Sequence, residues 1–225
     1  MSIEENLNEI KKNIPKNVTL VAVSKTKPIE DIKYAYELGQ RDFAENKVQE
    51  LINKEEVLPN DIRWHFIGNL QTNKVKYLVD KVYLIHSLSS IKLLKKIEDE
   101  FSKKNTIANL LIQINIGREE SKGGFFKEDI NNIIIEIEKC NHVKVKGLMA
   151  IIPKGNTMEN KFYFKEMKSI FDNLSSNTYK NITMEVLSMG MTHDFEIAIE
   201  EGSNLVRIGE GIFGKRNVVG GLTNG

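Results

Sequence analysis

Short apolar runs bounded by turn residues recur along the chain at residues 19–24, 42–44, 64–67, 82–86, 110–116, 143–149, 184–188 and 205–208. Each has the length and the β-branched or aromatic content of a strand. Between them, apolar residues fall three and four apart at 29–38, 91–101, 127–139, 159–174 and 194–201, the spacing of amphipathic helices. One more such helix, at 3–14, precedes the first strand. Eight strand-then-helix units in succession predict an α/β protein with a parallel sheet and right-handed crossovers. The expected fold is a single (β/α)8 TIM barrel with an extra N-terminal helix. The rival, an open doubly wound sheet, is disfavoured because several strands are short and alike in length, and no GxGxxG follows the first. No Pro- or Ser-rich linker divides the chain, so residues 1–217 are assigned to the barrel and the Gly-rich 218–225 to a disordered tail.

Composition narrows the function classes. The chain has 225 residues, 40% of them hydrophobic, enough for a sizeable core. Its 32 Lys and Arg balance 31 Asp and Glu, so no global field draws it to nucleic acid or to an anionic membrane. No apolar run approaches membrane-spanning length. The opening Met1-Ser2-Ile3-Glu4-Glu5 lacks the basic and apolar regions of a secretory leader, and the single Cys140 has no internal disulfide partner. A cytoplasmic location is expected, with Cys140 a packing residue.

In a barrel of this kind, function sits at the carboxyl ends of the strands. The polar and glycine residues there are Lys25, Glu45 and Asn46, Gly68 and Asn69, His86 and Ser87, Asn115, Ser188, and Arg207 with Gly209. The first strand runs straight into Lys25, and Pro28 stops it. An amine held against a desolvated barrel mouth is suited to attack an aldehyde and form an imine. After strand seven, Ser188-Met189-Gly190-Met191-Thr192 allows a close backbone turn around an anion. After strand eight, Arg207-Ile208-Gly209-Glu210-Gly211 offers backbone N–H groups to the same place. Barrel closure sets strand eight beside strand one, so one ligand can span the amine and the anion cradle. An aromatic aldehyde carrying a phosphate is pyridoxal 5'-phosphate (PLP), and Arg207 is the natural group to meet its pyridine nitrogen. Arginine does not deprotonate, so it keeps that nitrogen neutral and the ring a poor electron sink.

Six blocks carry a resemblance. Ala22-Val23-Ser24-Lys25-Thr26-Lys27-Pro28, Glu45-Asn46-Lys47-Val48-Gln49-Glu50, Trp64-His65-Phe66-Ile67-Gly68-Asn69-Leu70-Gln71-Thr72-Asn73-Lys74, Gly147-Leu148-Met149-Ala150, Ser188-Met189-Gly190-Met191 and Val206-Arg207-Ile208-Gly209 resemble the pyridoxal phosphate homeostasis protein family, in order over residues 19–216. The resemblance implies the barrel of the alanine racemase N-terminal domain, without a second domain. It implies PLP as a covalent imine at Lys25 rather than Lys27, phosphate contacts from Ser188 and from the Gly209 and Glu210 backbone, Arg207 at the ring nitrogen, and Asn46 beside the cofactor. Two positions depart from the family pattern. Thr192 stands where Ser is frequent, keeping a hydroxyl, and Glu210 replaces the expected Thr, so its carboxylate must turn away from a phosphate.

The remaining conspicuous groups take structural roles. His65 is expected to pack within a strand, facing a helix layer, with no metal-ligand spacing around it. Residues 71–74 are expected to start a helix, and Phe125 and Phe126 to pack on a loop over the mouth. The function implied is a monomeric PLP-binding protein that buffers or delivers the cofactor in vitamin B6 and amino-acid homeostasis, meeting apo-enzymes transiently and turning over no substrate. The alternatives are a racemase-type PLP enzyme, which needs an acid on the face opposite Lys25, and a cofactor-free Schiff-base aldolase.

Overall fold

Residues along each strand alternate between two apolar environments, and that alternation organises the molecule. In the computed structural model, which describes residues 2–119 and 122–215, eight parallel strands pair in sequence order and close on themselves. They are β1 (Thr19–Val23), β2 (Asp42–Glu45), β3 (Arg63–Phe66), β4 (Leu84–Leu88), β5 (Ala108–Ile114), β6 (Val143–Ala150), β7 (Ile182–Ser188) and β8 (Leu205–Ile208). Leu20, Ala22, Phe43, Trp64, Phe66, Val206 and Ile208 pack outward into one large core under the helices. Val21, Val23, Ala44, Leu84, Leu111, Met149 and Leu205 form a second, smaller cluster inside the barrel. The expected barrel is present, and no described helix is long and apolar enough to cross a membrane.

The helices are α1 (Ile3–Lys12), α2 (Ile29–Glu37), α3 (Val48–Glu55), α4 (Ile91–Ser102), α5 (Ile130–Glu138), α6 (Thr157–Ser175), α7 (Phe195–Glu200) and α8 (Glu210–Phe213). The extra N-terminal helix α1 starts with a reciprocal cap between Ser2 and Glu5 and buries Leu7 and Ile10. Its Asn6 Nδ2 donates to the Ile212 carbonyl at 2.9 Å, tying the first helix to the last. The third unit departs from the expected pattern: Thr72–Tyr77 is a 3-10 helix in which only Val75 is buried, too little apolar surface to hold an α-helix. A 3-10 turn, Lys127–Asp129, likewise precedes α5. Strand four begins two residues later than expected, because Tyr83 stays exposed while Leu84 to Leu88 are buried. Cys140 is buried, its thiol pushed up to about 11 first by burial and then by Glu98, and it packs as expected. The assigned tail, 218–225, lies outside the described residues.

A buried ionic cluster holds the end of β1. Lys54 Nζ, from α3, donates to the Ser24 carbonyl at 2.9 Å, to Glu45 Oε1 at 2.8 Å and to Glu50 Oε1 at 2.7 Å. Glu50 Oε1 also accepts the Thr26 N–H at 2.6 Å, and Ser24 Oγ donates to Glu45 Oε1 at 2.6 Å. The backbone is therefore gripped on both sides of Lys25. Thr26 is held at φ 65°, a left-handed conformation that a β-branched residue rarely adopts. Burial pushes the Glu45 carboxyl up to about 7, against the opposing pull of Lys54 and Ser24.

A carboxyl that binds its proton more tightly in the folded than in the unfolded chain stabilises folding at low pH. That contribution is lost as pH rises from 4.5 through about 7. Relative to Glu45→Gln, the native sequence is therefore expected to lose stability across this window, at up to about 1.4 kcal/mol per pH unit. Urea unfolding of both proteins at fixed ionic strength measures it, and a difference that does not change with pH would exclude the titration of Glu45.

Candidate functional site

At the carboxyl ends of the strands a cleft of about 400 Å³ is lined by Lys25, Lys27, Asn46, Gly68, Thr192, His193, Arg207, Gly209 and Glu210, with Val23, Ile67 and Ile151 as apolar walls. A second cleft, of about 420 Å³, opens at the opposite end among Asp42, Arg63, His65, Tyr83 and Lys146. Size does not choose between them. The amine, the glycine turns and the only arginine buried in the lumen among the described residues all serve the carboxyl-end cleft.

Closure brings these groups together. β8 pairs with β1 in the register Val21↔Arg207 and Ala22↔Ile208, so the turn after β8 meets the end of β1. Gly209 lies so close there that a Cβ would stand 3.1 Å from the Val23 carbonyl oxygen. On the other flank, a Cβ on Gly68 would fall 2.0 Å from the Asn46 carbonyl oxygen, so only glycine lets the chain leave β3 beside Asn46. Gly190, at φ 92°, turns the loop after β7, and its carbonyl accepts the Arg207 N–H at 3.1 Å. Thr192 Oγ1 in turn accepts the Gly211 N–H at 3.3 Å, joining the loops after β7 and β8 into one wall.

The two lysines of the first motif part company. Lys27 Nζ donates to the carbonyls of Phe213 at 2.8 Å and Gly214 at 3.1 Å, and so caps the carboxyl end of α8. Lys25 is half-buried at the end of β1, in the cleft wall. Asn46 Oδ1 is buried in the same wall and has no hydrogen-bond partner among the described residues. Glu210 opens α8, is exposed and lines the cleft.

Arg207 is 4% exposed and reaches the cleft from inside the barrel. Its Nη1 donates to the Ser188 carbonyl at 2.9 Å and to Ser188 Oγ, and its Nη2 donates to the Ala150 carbonyl at 2.8 Å. Burial lowers its pKa to about 10, which leaves the guanidinium charged at neutral pH. Ser188 requires a correction. Its side chain is fully buried, its hydroxyl is shared between Arg207 and His86 Nδ1 at 3.1 Å, and it does not line the cleft. Thr192, four residues on, lines it instead.

His65 also differs from expectation: it points into the lumen, not at a helix layer, and its ring meets that of His86 edge-on at 5.1 Å between centroids. His86 lies within β4, not at its end, and Asn115 folds back to bond the carbonyls of Glu119 and Lys122. Phe125 is buried and pairs as an isolated bridge with Ile114, the packing role expected of it.

The residues present suit a phosphorylated aromatic aldehyde. An amine, an unpartnered buried acceptor at Asn46, a charged arginine and two glycine-lined turns surround one cleft of ligand size. Comparison with known proteins agrees. The chain is 44% identical over 199 residues to the pyridoxal phosphate homeostasis protein of Aquifex aeolicus, covering 88% of this chain and 86% of that one. The solved structure of PipY from Synechococcus elongatus without PLP superposes with a TM-score of 0.89, at 31% identity over 95% of this chain and all of the other. The same protein with PLP bound gives 0.86. Alanine racemase of Clostridium difficile shares the fold, with a TM-score of 0.77 at 16% identity, this chain spanning 57% of its length. The family model for the alanine racemase N-terminal domain matches residues 1–217, and the chain belongs to that family and, within it, to the pyridoxal phosphate homeostasis proteins.

Proposed function

We propose that this chain holds PLP in the carboxyl-end cleft through Lys25, and that it buffers or delivers the cofactor in vitamin B6 and amino-acid homeostasis without significant turnover. The observation that carries the proposal is the convergence of Lys25, Asn46, Arg207 and the Gly209–Glu210 turn on one cleft. Likeness to a 31%-identical protein whose structure contains PLP supports it. Lys25, at the end of β1 in the cleft wall, supplies the amine for a covalent imine, while the neighbouring Lys27 caps the end of α8. Thr192 and the backbone of Gly209 and Glu210 take the phosphate, while the Glu210 carboxylate stays in solvent. Asn46 lies beside the cofactor. Arg207 faces the ring nitrogen and, as a permanent donor, keeps it unprotonated.

Bound PLP supplies an aldehyde carbon that exchanges between amines. The chain supplies little else that an amino-acid transformation needs. A ring nitrogen kept neutral by Arg207 withdraws electrons weakly, and the described lining of the cleft carries no tyrosine to act as an acid opposite Lys25. The cleft opens to solvent at the barrel mouth, and an open site does not exclude water. Exchange with free amines, and transient handover to apo-enzymes, is what these residues support, in a reducing cytoplasm and as a monomer.

Three outcomes are expected. Borohydride reduction of the loaded protein followed by peptide mapping places the adduct on Lys25, and Lys25→Ala loses visible absorbance while staying folded by circular dichroism. An adduct on Lys27, or none, defeats the assignment. PLP binds far more tightly than pyridoxal, and Thr192→Val weakens PLP by roughly tenfold, the scale of one charge-assisted hydrogen bond. Equal affinities for PLP and pyridoxal would remove the phosphate site. Incubation with common L-amino acids gives no more than one equivalent of any chiral inversion, carbon dioxide or keto acid, and sustained turnover on any of them would restore the racemase-type enzyme.

A further inference from the structure

The barrel lumen contains a polar chain that runs from one cleft to the other. Arg207 Nη1 bonds Ser188 Oγ, and Ser188 Oγ lies 3.1 Å from His86 Nδ1. His86 Nε2 is 2.8 Å from His65 Nδ1, and His65 Nε2 is 3.0 Å from Asp42 Oδ1. Asp42 ends the chain at the amino-end cleft, where Arg63 Nε donates to its Oδ1 at 2.8 Å. Ser188, His86 and His65 are buried. They come from β7, β4 and β3; β3 and β4 are paired neighbours, and barrel closure brings β7 across the lumen to face them.

The chemistry of the two ends fixes the direction of every bond. Burial alone would raise the Asp42 carboxyl, but hydrogen bonds from His65 and Arg63 outweigh it and hold the group below its ordinary value, ionised and able only to accept. Burial lowers both histidines; in His86 repulsion from a protonated His65 and from Arg207 would add to it, so both imidazoles are neutral with one hydrogen each. His65 must then donate from Nε2 to Asp42 and accept at Nδ1. His86 must donate from Nε2 to His65 and accept at Nδ1, and the hydrogen it accepts can only be that of Ser188. From the other end, a guanidinium can only donate, so Ser188 Oγ accepts from Arg207 and passes its own hydrogen to His86. The donors therefore run one way, from Arg207 through Ser188, His86 and His65, and end on the Asp42 carboxylate.

We propose that His86 and His65 are positioning residues for Arg207: with Ser188 and Asp42 they form a one-directional hydrogen-bond chain that orients the guanidinium at the cofactor cleft from the opposite end of the barrel. Each link presents its acceptor toward Arg207, whose direct partners are all uncharged oxygens, and the bonds polarise one another along the line. The chain does not conduct protons, because a step toward Asp42 would have to begin with a proton from arginine. Its role is to hold one orientation and one charge state of Arg207.

This rests on the cleft being a PLP site, and the experiment separates the two. Ring-nitrogen NMR of the histidines in the cofactor-free protein is expected to show both His65 and His86 neutral with the hydrogen on Nε2. An Nδ1–H tautomer or an imidazolium at either position near pH 7 overturns the chain, whatever binds in the cleft. In the loaded protein, His86→Leu is expected to weaken PLP about tenfold and to shift its visible absorption maximum, while His86→Gln, which keeps a donor and an acceptor, restores most of both. Should the leucine variant not fold, Asp42→Asn tests the same link by removing only the terminal charge, with a shift in the same direction. A native spectrum and native affinity in whichever variant folds overturns the proposal, and failure of the unsubstituted protein to bind PLP overturns the cofactor site instead.

Discussion

Closure of the sheet through β1 and β8 is the constraint on which the site depends. In an open sheet those strands would be edges, each exposing unpaired backbone groups, with Lys25 and Gly209 at opposite borders of the molecule. The pairing of Thr19 to Ala22 with Leu205 to Ile208 removes both edges at once. It also crowds Gly209, where a Cβ would stand 3.1 Å from the Val23 carbonyl oxygen as the turn after β8 passes it. The same backbone bonds that complete the barrel therefore bring the amine and the glycine turn to one cleft. Stability and site geometry share a cause here, so a change that weakens β1–β8 pairing damages both.

Closure imposes a second condition, since alternate residues of every strand must fill the lumen. Seven buried apolar side chains do part of this, and Asp42, His65, His86, Ser188 and Arg207 are buried among the polar groups that do more of it. A polar lumen is costly unless each group finds a partner, because an unsatisfied donor or acceptor there loses its water without compensation. The chain satisfies its members in series, with one negative end, one positive end and neutral links between. Replacing any one link with an apolar residue would strand its neighbours, so the network behaves as a unit.

Much of this was legible in the chain. Strand and helix periods were strong enough to count eight units, and a strand-end lysine ahead of a proline, with glycine turns after strands seven and eight, marked the cleft. What could not be read was the direction of individual side chains. The list of strand-end residues held Glu45 beside Asn46, yet period-two alternation sends Glu45 outward to Lys54 and Asn46 into the cleft. The same uncertainty misplaced Ser188, whose hydroxyl turns into the lumen while Thr192 lines the cleft, and His65, which faces His86 and not a helix. A one-residue ambiguity at a strand reverses a side chain, whereas a two-residue shift, as in strand four, leaves its facing unchanged. Beyond the i,i+4 pair of Glu50 and Lys54, the Lys54 cluster carried no local signal, because Ser24, Thr26 and Glu45 meet that pair only once α3 lies against the sheet.

The two groups that would define a cofactor's attachment and its electronic state are supported from different sides of the sheet. Lys25 is held from outside the barrel, where Lys54 and Glu50 grip the Ser24 carbonyl and the Thr26 amide. Arg207 is held from inside, through Ser188 and the histidines. The only structure common to both supports is the backbone pairing of adjacent strands. Perturbing the outer cluster should therefore move the amine without rotating the guanidinium, and perturbing the lumen should do the reverse. A protein that exchanges its cofactor has a use for such separation: the bond at the amine can form and break while the groups that recognise the ring and phosphate keep their places. Neither support requires a second domain over the mouth, since one is built from α3 against the ends of β1 and β2 and the other within the lumen.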